Sequence, residues 1–203
     1  MALAELRRGG HFEWYVVNLL AFVVYVYASA IRRREWDMVV LGIGFWALEF
    51  LWEMMNALVL RLSGHAALWT VAKKSVYLIY VGLNLEIALM FAVVPIVLFH
   101  LLPRERTVRI LGVPNRLFIP ILLGLFCVGI EVVLAKWGVL VWSWAFWRFP
   151  HVWLIALAYC GPFAGLVWLH DNLSLRRKIQ AMIAAIAVAA GAHVLLANVL
   201  RWV

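Results

Sequence analysis

The chain has 203 residues, 67% hydrophobic and only 14% charged, far from the roughly half-apolar, quarter-charged balance of a soluble globular chain. That composition excludes a soluble fold and predicts an all-α, polytopic membrane helix bundle forming a single domain over 1–203. The net charge of +8 does not read as a nucleic-acid footprint, because Lys and Arg cluster between the apolar runs, where such residues anchor helices to headgroups and set orientation.

About 20 apolar residues are needed to cross the hydrocarbon. This predicts six transmembrane helices near 14–31, 38–61, 76–101, 117–136, 151–171 and 179–201, with five or seven as the alternatives. The first run is too long and too aromatic for a cleavable signal and is followed by Arg32, Arg33 and Arg34, so it is expected to stay. The stretch from Gly138 to Phe149 is too short to cross alone, and its three tryptophans suit an interfacial or re-entrant segment. It could instead extend a neighbouring helix or make a seventh, tilted crossing. Pro95, Pro120 and Pro162 fall within spans and are expected to kink them. Under six spans the basic residues divide ten to eight, a slight vote for both termini outside. The expected location is an integral, multi-pass position in a bacterial inner membrane or the endoplasmic reticulum. Cys127 and Cys160 both fall mid-span and read as small core residues.

Four acidic residues, Glu49, Glu53, Glu86 and Glu131, lie well inside apolar runs. A carboxylate there costs a few kcal/mol, so such residues face a bundle interior and mark functional sites by default. Glu49, Glu53 and Asn56 are spaced i, i+4, i+7 on one helix face. In the third helix, Tyr77, Tyr80 and Asn84 are expected to share a face, with Glu86 rotated to the other side beside Gly82. Pro120, Gly124, Cys127 and Glu131 step along a small-residue face of the fourth, which lets a neighbour approach.

At about 1.5 Å per residue, with alternate helices antiparallel, Glu53, Asn56, Tyr77, Tyr80, Asn84, Glu131, His193 and Asn198 fall in one half of the membrane. Glu49 and Glu86 lie nearer the middle, and the segment with Trp142 and Trp144 could lid the cavity. Trp46, Trp52 and Phe45 flank the acidic face at a depth that interfacial anchoring does not explain. The plainer reading is that each Glu only hydrogen-bonds a neighbouring helix while protonated. For four glutamates, two of them on one face, that reading is the weaker one. His193 sits among Ile186, Ala189, Ala190 and Ala197, a packing face, and Asp171 with His170 falls at the opposite end as a solvated helix terminus.

A neutral carboxyl group in a dry aromatic pocket can protonate an alkene, and aromatic faces stabilise the cation that results. The substrate would be a hydrophobic lipid already in the bilayer, polyprenyl or sterol-like. Glu53 is the expected proton donor, and Glu86 and Glu131 the cation stabilisers or final base. Glu49, Asn56, Asn84 and Tyr80 would position the acids, Trp52 and Trp46 supply π faces, and Tyr77, Trp144 and His193 line the site. No metal and no cofactor are expected, because the apolar runs hold no Glu-x-x-His pair of the kind that builds di-metal bundles. A proton- or cation-coupled transporter remains an alternative, although no inverted repeat is visible. A non-catalytic lipid-binding or accessory subunit is the third class.

These residues carry two resemblances. Leu51-Trp52-Glu53, then Gly82-Leu83-Asn84-Leu85, then Gly129 through Trp144 resemble the integral-membrane terpene cyclases of meroterpenoid pathways. That resemblance implies a multi-span helical fold, a protonating role for Glu53 and a late Asp, for which Asp171 is the sole candidate. Because Asp171 falls at the far end, either the span count differs or the pairing passes to Glu131 or Glu86. Glu49-x-x-x-Glu53, with Glu86 and Pro95 nine residues later, is similar to the emopamil-binding sterol isomerases, which carry a His where this chain has Glu49. Both imply acid-base work on an alkene of an isoprenoid skeleton.

Overall fold

The apolar runs become helices because, in lipid, every backbone N–H and C=O has to be satisfied within its own segment. The computed structural model describes residues 12–73 and 75–203. It holds α1 (Tyr15–Arg32), α2 (Trp36–Ser63), α3 (Leu85–Leu101), α4 (Asn115–Lys136), α5 (Val152–Asn172) and α6 (Leu175–His193). Five are long and apolar enough to cross a membrane, α6 together with the π-helical turns Val194–Val199 that continue it. The protein is an integral, multi-pass helical membrane protein.

The sixth helix departs from the expected one. α3 begins at Leu85 and has 17 residues, about 25 Å at 1.5 Å per residue, just short of a hydrocarbon core of about 30 Å. Residues expected to open it form instead a short antiparallel ribbon, β2 (Leu78–Tyr80) with β3 (Leu83–Asn84). Tyr77, Tyr80 and Asn84 therefore do not share a helix face, and Gly82 lies in the turn of the ribbon, not beside Glu86 on a helix. The reason is local: the Asn84 side chain accepts from the Ile87 N–H at 2.9 Å and caps α3 at that point.

Gly138 to Phe149 neither crosses nor extends a helix. It gives β6 (Leu140–Trp142) and a 3-10 turn, Ala145–Trp147. β6 pairs antiparallel with β1 (Trp69–Val71), placing Trp69 opposite Trp142. A third ribbon, β4 (Arg109–Ile110) with β5 (Val113–Pro114), closes the opposite end.

α2 packs against α6 and α3, and α4 against α5. The small-residue face of α4 does admit a neighbour: a Cβ on Gly124 would stand 2.6 Å from Cys160 Sγ and 3.1 Å from its backbone N, so α4 and α5 touch there. One core joins Leu41, Phe45, Phe99, Leu123 and Phe163 toward the β4/β5 end. A second joins Trp69, Val128, Leu140, Trp147 and Ile155 toward the β1/β6 end, and the candidate site lies over that one.

Candidate functional site

Glu53 follows Glu49 by one helical turn on α2, so both carboxyl groups leave the same face. Glu131 reaches them from α4: Glu49 interacts electrostatically with Glu131, and Glu53 with both. Glu53 is 2% exposed. Its Oε1 accepts from the Trp69 indole N–H at 3.0 Å, while Oε2 is buried and has no hydrogen-bond partner among the described residues. Glu131 accepts from the Tyr159 hydroxyl of α5, and Tyr159 lies parallel to Phe91 of α3 at 6.1 Å.

Asn56 fixes Trp69. Fully buried, it accepts from the Leu68 and Trp69 backbone N–H groups at 2.8 and 3.3 Å and donates to the Trp69 carbonyl at 2.9 Å. One side chain thus satisfies three backbone groups of a segment with no helix of its own. Gly82 presses on the same spot, since a Cβ there would lie 2.4 Å from Trp69 Nε1 and 2.5 Å from Asn56 Nδ2. The Trp69 ring is stacked between Trp52 at 6.1 Å and Trp147 at 5.6 Å. Trp52 is 38% exposed, so the stack runs from the buried acid out to the lipid-facing surface. Trp144 donates to the Ala66 carbonyl at 3.0 Å and ties the Trp-rich segment down over the site.

The remaining predicted residues divide into two groups away from this centre. Glu86 stands in the first turn of α3, where Oε1 accepts from the Tyr15 hydroxyl and from the Val76 N–H at 3.3 Å. It is not brought to the other three carboxyl groups. The Tyr80 hydroxyl lies 2.5 Å from His193 Nδ1. Phe50 meets Tyr80 edge-on, and Trp46 meets Phe50 likewise, which extends a ring contact along α2. Tyr77 is half-buried and uses its carbonyl to accept from the Leu85 N–H. Asp171 pairs with Arg116 at 2.8 Å at the start of α4, fifteen residues before Glu131, about 22 Å along the helix.

Three side chains at the candidate site carried no signal in the sequence: Trp69, Trp147 and Tyr159. Each tryptophan looked like one more interfacial anchor among twelve, and Tyr159 carried no spacing signal. The tertiary partner of an indole N–H has no signature in a single sequence.

A family model spans residues 1–198. The chain belongs to an uncharacterized membrane protein family. A protein of Archaeoglobus fulgidus, described as an uncharacterized protein, is 36% identical over 203 residues, covering all of this chain and 96% of the relative. The family's likeness therefore extends over the whole bundle, including α2, β1 and α4. No solved structure matches the chain.

Proposed function

We propose that the chain is a membrane enzyme that carries out protonation-initiated cyclisation or double-bond isomerisation of an isoprenoid or sterol-like lipid. What supports this reading is the pair Glu49 and Glu53 on one face of α2, with Glu131 within electrostatic range, beside the Trp52–Trp69–Trp147 stack.

Glu53 is the acid. With Oε1 engaged by Trp69, the partnerless Oε2 is the oxygen that carries a proton and delivers it to an alkene carbon. The π pair forms the new C–H bond, Glu53 is left as carboxylate, and the positive charge on the neighbouring carbon lies against aromatic faces and carboxylates. Glu131 is the base. Held by the hydroxyl of Tyr159, it takes a proton from a carbon next to the cation, and that C–H pair becomes the new double bond. Glu49, one turn from Glu53 and within electrostatic reach of Glu131, returns the proton to Glu53. Product and substrate have the same mass.

The test is chromatographic mass spectrometry of lipids from cells making the chain or its Glu53→Gln variant, supplied with prenylated and sterol precursors. A species of unchanged mass and new retention, lost in the variant, is expected. Identical extracts over a broad precursor set, with ion-dependent flux in liposomes, would replace this reading with transport.

A further inference from the structure

The C-terminal end of α4 and the Trp-rich segment after it line an open cleft of about 380 Å³. Its apolar lining includes Val132, Leu140 and Phe149, and its charged lining is Lys136 and Arg148. Both cations are exposed, and neither side chain has a hydrogen bond or ion pair among the described residues. No carboxyl group lines the cleft. Two unpaired cations over an apolar floor complement an anion attached to a hydrocarbon.

The cleft is not remote from the carboxyl site. Trp142 forms part of its wall, and its indole N–H lies near Glu131 without reaching hydrogen-bond geometry. On its strand Trp142 stands opposite Trp69, a spacing of about 5 Å between backbones, and Trp69 is the donor to Glu53. Trp142 is thus common to the cleft wall and to the surroundings of Glu131.

We propose that this cleft binds the phosphate group of an isoprenoid phosphate, whose hydrocarbon chain reaches the Glu53–Glu131 site. The proposal rests on the reading of that site as acting on isoprenoid lipids and narrows its substrate to phosphorylated ones. Arg148 offers the paired donors suited to a phosphate and Lys136 a point charge. Phe149 and Leu140 hold the first carbons of the chain.

The full-length chain in neutral phosphatidylcholine nanodiscs is titrated with geranylgeranyl phosphate and with geranylgeraniol, and binding is read by native mass spectrometry. The phosphate should bind at least about tenfold more tightly, the scale of one charge-assisted contact. The Lys136→Gln/Arg148→Gln double variant should lose that preference while keeping its affinity for the alcohol. Because both side chains are exposed, the variant should keep the wild-type size-exclusion profile. Retention of the preference by the double variant, or equal binding of alcohol and phosphate by the wild type, overturns the proposal. So does displacement of the prenyl phosphate by an equal concentration of phosphatidylglycerol, which would make the cleft a general anionic-lipid anchor. Glu53→Gln separates the two readings: it should abolish product but leave the phosphate preference intact, so a preference without any turnover in the wild type sinks the catalysis alone.

Discussion

Trp69 and Glu53, sixteen residues apart and on different elements, meet as donor and acceptor at 3.0 Å, and the bond is buried. It ties a short strand outside the helices to the acid inside them. Because the indole uses one carboxyl oxygen and leaves the other without a partner, it also orients the group that the proposed chemistry requires.

Replacing Glu53 with Gln keeps the shape and the acceptor for Trp69 but removes the transferable proton. Turnover should fall below detection, while the thermal midpoint stays within a few degrees of wild type. Unchanged product in the lipid extract would end the role of Glu53 as acid.

Tyr159→Phe removes the donor to Glu131 and keeps the parallel ring contact with Phe91. The loss of one hydrogen bond to a charged group, about 1.5–3 kcal/mol, should slow turnover by roughly tenfold to a hundredfold. Product formation rates at saturating lipid decide it; equal rates would remove Glu131 from the mechanism.

Gly82→Ala places a methyl group 2.4 Å from Trp69 Nε1 and 2.5 Å from Asn56 Nδ2. Overpacking of this kind costs about 1–3 kcal/mol. The indole has to shift, so turnover should fall together with a change in tryptophan emission and a lower Tm. An unchanged spectrum would mean that the loop yields instead of the ring.

Asn56→Ala strands the two N–H groups and the carbonyl that this side chain serves. A buried polar group left unpaired costs about 1–3 kcal/mol, and the segment carrying Trp69 should loosen. Limited proteolysis should cut between Ser63 and Val71 in the variant before the wild type is cut there; equal resistance would show that the segment is held without Asn56, by its pairing with β6 and its bonds to Trp144 and Glu53.

Asp171→Asn separates the resemblance to membrane cyclases from the geometry. The carboxylate receives Arg116 at 2.8 Å and lies near Arg106 at 3.5 Å, at the end away from Glu53. The variant should lose stability, about 1.5–3 kcal/mol for a hydrogen bond between charged groups, and keep wild-type turnover per folded molecule. A loss of turnover without loss of Tm would instead give Asp171 the late acidic role.

The sequence by itself determined the class of fold and most of its helices, because about 20 apolar residues bounded by charge admit one structure in lipid. It also placed Glu49, Glu53 and Asn56 on one face of α2, since helical spacing alone fixes that. Hydropathy hid where α3 begins, because Leu78, Ile79 and Val81 are as apolar as a helix and the local Asn84 cap sets the boundary, whereas the packing was left to the tertiary structure. That structure decided which carboxyl groups come within electrostatic range: Glu131 faces the α2 pair and Glu86 does not, an outcome set by how helices pack and not by any residue's own spacing. The pairing of Trp69 with Trp142 across β1 and β6 joins two loops 73 residues apart, and no local pattern encodes a contact of that range.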